Sequence, residues 1–197
     1  MDNATIITLV CIMSYLVGSI PCGFLLAYSY QGQLITKKGS GNIGTTNAMR
    51  VAGKAVGIAT MISDVLKGVI PTMLAANLFQ HNTLAVLLCA FLALVGHMYP
   101  VWLKFNGGKG VATSLGILIV IEPTLALLAA CLFALIAIPF RLVSVASLTT
   151  SLMVAIAAFF ISTPQIAIFL ISITGLIFLK HKENIERIFK GEEKKLF

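Results

Sequence analysis

The chain has little charge and very little acid. Of its 197 residues only 11% are charged, and the acids number seven against fourteen lysines and arginines. A soluble domain carries about 25% charged residues. With 58% hydrophobic residues and a mean hydropathy of +0.99, most of this surface must face lipid. A net charge of +7 would otherwise suggest a nucleic-acid binder, but such a protein needs a water-exposed basic face, so no nucleic-acid partner is expected. No basic segment precedes the first apolar run and no cleavage site follows it, so the run is read as a retained span rather than a signal peptide. Cys11, Cys22, Cys89 and Cys131 all fall in apolar stretches with no C-x-x-C spacing. They read as free thiols packed among helices, without a disulfide framework or a zinc site, and no metal site is expected. A Walker loop, a G-x-S-x-G nucleophile elbow, a tandem repeat and a separate soluble domain are also missing.

What is present is a series of long apolar stretches, at about 5–28, 55–79, 84–100, 110–121, 124–139, 143–161 and 165–180. The runs are long and do not alternate, so helices are the spanning element. A straight crossing takes about 20 residues, so the fourth stretch is short and the fifth marginal. Joining them into one helix would carry it through Glu122-Pro123. Proline disfavours helix at the residue before it, and a mid-bilayer glutamate is costly. Splitting there makes seven spans, an all-α membrane bundle forming one polytopic domain over 1–197.

Charge orients the bundle. Lys37, Lys38, Arg50, Lys54, Lys104, Lys109, Arg141 and the six basic residues from Lys180 to Lys195 flank alternate span ends. Only Lys67 lies inside a stretch, where it forms an i,i+3 pair with Asp64. This pair reads as mutually neutralising and structural, with a substrate or proton site as the alternative. The positive-inside pattern puts the N-terminus outside and the C-terminus in the cytoplasm. The outer connections, 80–83, 122–123 and 162–165, are plain, and the inner ones hold the glycines and most of the polar side chains.

Four inner segments carry polar groups suited to chemistry. In Gly39-Ser40-Gly41-Asn42-Ile43-Gly44-Thr45-Thr46-Asn47, glycines let successive N–H groups face an anion. Thr45, Thr46 or Asn47 can cap the helix that follows, whose dipole also favours phosphate, and Arg50 lies about one turn in as a fork-shaped donor. A flexible polar loop is the plain alternative. In the second segment, Gly107, Gly108 and Gly110 surround Lys109, and Thr113 and Ser114 start the next short helix. His97, at a span end, reads as structural, and Lys104 as an interfacial anchor. In the third, 181–195, helical spacing puts His181 and Asn184 on one face with Ile185 and Ile188, while Glu183 and Glu186 face away. An amphipathic surface helix without catalytic role is the alternative there. A fourth inner site, 141–147, places the Ser144 and Ser147 hydroxyls one turn apart at a span entrance.

Taken together, GSIPCG (18–23), GSGNIGTTNAMR (39–50), DVLKG (64–68), GHMYPVWLKFNGGKGVATSLG (96–116), RLVSVAS (141–147) and HKENIERIFKGEE (181–193) resemble the bacterial membrane glycerol-3-phosphate acyltransferases that use acyl phosphate as donor. The resemblance runs in order over essentially the whole chain. Thr45 stands where alanine is expected, and Tyr99 where phenylalanine is common; neither change touches a glycine or a charged group.

The resemblance implies transfer of an acyl chain from acyl phosphate to the sn-1 hydroxyl of glycerol 3-phosphate, giving 1-acyl-glycerol 3-phosphate (lysophosphatidic acid) and phosphate. It further implies a multi-pass protein of the bacterial inner membrane, among membrane lipids, with its active site facing the cytoplasm. Ser40, Arg50, Lys109, Ser144, His181 and Asn184 would line the polar site, with Ser40, Lys109, His181 and Asn184 the catalytic set. Gly39, Gly41, Asn42 and Gly44 would shape a phosphate loop, with Thr46 and Asn47 as its helical extension. Acyl phosphate is an activated mixed anhydride, so positioning and charge stabilisation suffice in principle, and no cofactor is expected. No inward carboxylate is evident as a base. His181 or a donor phosphate oxygen would accept the hydroxyl proton, and the substrate-assisted route is preferred.

Two rival functions fit the sequence less well. Acyl-CoA-dependent enzymes use a His-x4-Asp pair, which His181…Glu186 copies in spacing, yet five helical residues rotate by about 140° and would separate the two. A secondary transporter of a phosphorylated solute would need a polar route outward, whereas every candidate phosphate ligand falls on one side.

Overall fold

The computed structural model describes residues 2–195. Among them all regular structure is helical: α1 (Asn3–Ser19), α2 (Cys22–Gln31), α3 (Thr45–Ala52), α4 (Lys54–Leu78), α5 (Thr83–Met98), α6 (Val111–Ile121), α7 (Pro123–Phe140), α8 (Val143–Ile161), α9 (Pro164–Lys180) and α10 (Lys182–Phe189). Short 3-10 turns at Ile35–Lys37 and Val101–Leu103 complete the set.

Five helical stretches are long and apolar enough to cross a membrane: Asn3–Gln31, Lys54–Leu78, Thr83–Leu103, Pro123–Phe140 and Val143–Ile161. The α9–α10 pair, bent by 63°, is a sixth if counted as one broken span. With 11 residues, α6 is about 16 Å long and falls well short of a hydrocarbon core of about 30 Å. The expected first span is interrupted. Pro21 has no N–H and restrains Ile20, so α1 stops at Ser19 and α2 restarts at Cys22, whose N–H donates to Ile20 O at 2.9 Å. The break at Glu122-Pro123 falls where sequence places it, with Pro123 opening α7.

The chain forms two compact units, one ending at Val120 and the other beginning at Ile121. In the first, helices approach through small residues. A Cβ on Gly18 would strike Ala93 O of α5, and one on Gly96 would strike Tyr15 O of α1. Gly68 and Gly116 bring α4 and α6 together in the same way, against Thr113 O and Val65 O. Where lipid is no less apolar than leucine, such close backbone packing is a main source of helix association. Cys11 and Cys89 are buried in this unit with their sulfurs 3.5 Å apart. Cys22 is only half-buried and Cys131 is exposed, so not every thiol is packed among helices.

In the second unit α8 packs against both α7 and α9, and the Thr174 hydroxyl donates to Ser151 O at 3.1 Å. Large apolar side chains such as Leu127, Ile138 and Phe160 point outward. A surface of that kind matches a lipid environment.

Candidate active site

The first loop is braced from within. Gly39 and Gly41 adopt left-handed backbone at φ 64 and 71. Asn47, buried on α3, accepts the Ser40 N–H on Oδ1 at 2.8 Å. Its Nδ2 serves Ile35 O, Lys38 O and Asn42 O at 3.0, 3.1 and 2.8 Å. A Cβ on Gly39 would collide with that Oδ1, so the turn requires glycine. Asn47 is thus the loop's internal brace, and its amide does not reach outward as a helical extension. The cap of α3 also differs from expectation: Gly44 is its N-cap, and no side chain of Thr45, Thr46 or Asn47 caps the helix. Thr46 is half-buried in the first turn; Ser40 and Arg50 are exposed. Gly39, Gly41 and Gly44 do stand at G-x-G-x-x-G spacing. The loop joins helices rather than following a strand, so a dinucleotide reading does not apply.

The second loop is laid back on α5. After the turn at Val101–Leu103, the Gly107 N–H donates to Met98 O at 3.2 Å and the Gly108 N–H to His97 O at 3.0 Å. Those two amides are therefore engaged internally. The next residues open α6, where Ser114 N–H closes the first turn on Gly110 O at 2.8 Å. By helix geometry, the N–H groups before it have no intrahelical acceptor. Thr113 and Ser114 lie buried there, and neither hydroxyl has a hydrogen-bond partner among the described residues. Lys109 is half-buried between Gly108 and Gly110.

Asn42 joins the two loops. Its Oδ1 accepts the Gly44 N–H at 2.9 Å and its Nδ2 donates to Gly107 O at 3.2 Å. Two glycine-rich segments 65 residues apart in sequence are thereby held at one end of the first unit.

In the second unit the polar residues gather on Glu193, a carboxylate that residue spacing alone does not single out. Asn184 Nδ2 donates to Glu193 Oε1 at 2.6 Å, and Arg187 Nε to Glu193 Oε2 at 2.8 Å. Burial pushes the Glu193 carboxyl up, but the Asn184 amide, the Arg187 guanidinium and the nearby Ser144 hydroxyl outweigh it and hold it below the usual carboxylate range. Ser144 is itself buried at 4% exposure, and its hydroxyl makes no well-formed hydrogen bond among the described residues. The signal for Glu193 lay in Gly191. With φ 70, Gly191 ends α10 in a Schellman turn, Gly191 N–H to Ile188 O and Glu192 N–H to Arg187 O, which returns the chain to the helix.

His181 and Asn184 are buried, and Glu183 and Glu186 are exposed, as the spacing requires. His181 sits at the bend between α9 and α10, with Nδ1 2.8 Å from Ile177 O. A carbonyl only accepts, so Nδ1 bears a proton, and the neutral ring then has its lone pair on Nε2. Among the described residues no group of three or more His, Cys, Asp or Glu side chains is placed to hold a metal ion.

The family profile for glycerol-3-phosphate acyltransferase matches residues 8–191. A glycerol-3-phosphate acyltransferase of Mesorhizobium japonicum is 42% identical over 94% of this chain and 93% of its own length. One of Geotalea daltonii is 43% identical over 91% and 92%. A crystal structure of PlsY, an integral membrane glycerol 3-phosphate acyltransferase in its glycerol 3-phosphate form, superposes with a TM-score of 0.91 at 35% identity, covering 96% of this chain and 94% of that one. Its lysophosphatidic acid form superposes with a TM-score of 0.89. The chain belongs to the glycerol-3-phosphate acyltransferase family and is an integral membrane acyltransferase of phospholipid synthesis.

Proposed function

We propose that this enzyme transfers the acyl group of an acyl phosphate to the sn-1 hydroxyl of glycerol 3-phosphate at the cytoplasmic face of a bacterial inner membrane. The hydroxyl oxygen bonds to the acyl carbon, the bond from that carbon to the phosphate oxygen breaks, and lysophosphatidic acid and inorganic phosphate leave. The observation that carries this reading is the Asn42–Gly107 bond, which sets two basic, glycine-rich loops at one end of the first unit. Both substrates carry phosphate, and one carries an apolar chain suited to a lipid-facing bundle.

In the first unit, the Ser40, Gly41 and Gly44 amides are spent within their own loop, so Arg50 is the donor to one phosphate, and Lys109 with the N-terminus of α6 offsets charge on the other. Ser40, beside the braced turn, adds a hydroxyl to the same loop. In the second unit, Asn184 orients a phosphate or the oxyanion and Ser144 offers its buried hydroxyl. Glu193 stays ionised well below neutral pH, so it serves as an anchor and not as the proton acceptor. A phosphate oxygen of the donor takes the hydroxyl proton. The His181 tautomer supports a second route, with Nε2 as general base.

Purified protein in lipid vesicles, supplied with acyl phosphate and glycerol 3-phosphate, should release lysophosphatidic acid and phosphate in equal amounts. Vesicles that take up glycerol 3-phosphate without forming product would favour a carrier and remove the enzyme reading of the loops. The same assay decides the base. A general base contributes about 10²–10⁴-fold, so loss on that scale in His181→Gln, with disappearance of an imidazole-like limb in the pH–rate profile, would establish the second route. A profile that follows substrate phosphate ionisation in both proteins is the outcome expected from the first.

A further inference from the structure

Three buried polar side chains of the first unit have no part in the chemistry above. Asp64 and Lys67 lie midway along α4 and His97 lies in the last turn of α5, at 3%, 4% and 3% exposure. Lys67 Nζ lies 2.8 Å from Asp64 Oδ1, donates to Ile20 O at 2.7 Å and stands 3.4 Å from His97 Nδ1. Asp64 Oδ1 is 3.6 Å from the same ring nitrogen. A buried ion pair is a weak source of stability in itself, because desolvation offsets its Coulomb attraction. Self-neutralisation alone therefore leaves the third member and its placement unexplained.

The far edge of the ring supplies a reason. Its Nε2 and Cε1 face Gly108 so closely that a Cβ there would collide with both. Gly108 N–H is bonded to His97 O and Gly107 N–H to Met98 O, so the segment carrying Lys109 rests on the last turn of α5. The chain reaches this position through Lys104 and Phe105, both in left-handed backbone at φ 50 and 63, where residues with a Cβ are strained. A loop entered through such a turn needs a firm seat.

We propose that Asp64, Lys67 and His97 are positioning residues for the glycine-rich loop, a buried chain that sets the place of Lys109. Asp64 anchors the Lys67 ammonium, and Ile20 O ties it to the break between α1 and α2. The ammonium donates to His97 Nδ1, which makes that nitrogen an acceptor and puts the ring proton on Nε2, the edge facing Gly108. Ring orientation and tautomer are thus set from behind, and the ring passes the constraint to Gly107 and Gly108. That Lys109 meets a substrate phosphate rests on the function proposed above; the seating of the loop does not.

The test compares wild type, His97→Asn, His97→Phe and His97→Ala as full-length protein in lipid nanodiscs. Asparagine keeps an acceptor near the Nδ1 position, whereas phenylalanine keeps ring volume without one. Amide exchange across 105–110 should quicken about tenfold or more in the Phe and Ala variants and stay within about threefold of wild type in Asn. Wild-type exchange in Phe or in Ala would overturn the proposal, and so would loss of protection throughout α4 and α5, since positioning is local. Turnover of acyl phosphate and glycerol 3-phosphate provides a cycle between His97→Phe and Lys109→Ala. A loss in kcat/KM of about tenfold from His97→Phe should shrink below about threefold once Lys109 is alanine, because the first residue acts through the second. Additive losses would refute that coupling. A wild-type protein that turns over nothing would refute the proposed reaction instead, and amide exchange would still decide the seating of the loop.

Discussion

Arg50 and Lys109 are the cations of the two joined loops, and their environments differ. Arg50 is exposed on α3, while Lys109 is half-buried between two glycines ahead of α6. A charge-assisted hydrogen bond contributes about 1.5–3 kcal/mol, so Arg50→Ala and Lys109→Ala should each lower kcat/KM by about 10–100-fold. Arg50→Lys should fall nearly as far as alanine, because an ammonium cannot reproduce a planar fork on a phosphate. Steady-state turnover at subsaturating substrate, with membrane yield as control, checks all three; near-normal rates in both alanine variants would remove the two-cation site. The residue types at these positions are evident from spacing. What spacing does not reveal is which polar groups serve the ligand and which serve the fold: Asn47 is used up bracing its own loop, and Gly107 and Gly108 use their amides on α5.

At the scale of elements, α10 and the turn behind it form one hydrogen-bonded piece. Glu193 bonds both Asn184 and Arg187, and its carboxyl is held below its ordinary value despite burial. A group depressed in the folded state stabilises it above the unfolded pKa, and that contribution is lost as pH falls through the folded one. Protection from amide exchange over 182–193, taken against the unstructured-chain rate at each pH, should therefore be full at neutral pH in wild type and be lost as pH falls through the depressed Glu193 carboxyl. Glu193→Gln should show reduced protection already at pH 7, with the acid-dependent step gone. An unchanged acid step in Glu193→Gln would assign it to other carboxylates, of which Glu183, Glu186 and Glu192 are exposed nearby. The helices themselves follow from apolar runs and prolines. Pro123 marks the start of α7, and Pro21 marks an interruption that the continuous hydrophobicity of 5–28 conceals.

For the whole molecule, the distribution of basic residues sets the expected direction in which the helices cross. We expect 29–54, 101–111, 140–144 and 181–197 on the cytoplasmic side and 80–83 outside, because lysine and arginine collect at one set of helix ends. Single cysteines placed at 38, 82 and 109 in a cysteine-free background, labelled with a membrane-impermeant reagent in intact cells, check this. Outside labelling at 38 and 109 would overturn the seven-span arrangement. Hydropathy alone determined that this is a helical membrane protein, because only helices satisfy a backbone in lipid from within one segment. Order and spacing of the polar motifs determined the family and named most of the candidate site. Tertiary structure decided the rest: the brace by Asn47, the Asn42 bridge, the Asp64–Lys67–His97 chain behind Gly108, and the return of Glu193 to Asn184. The brace and the return rest on left-handed glycines, and the bridge and the buried chain on approaches between segments distant in sequence. Such partners depend on where the backbone turns and how closely helices pack, and hydrophobic periodicity carries neither.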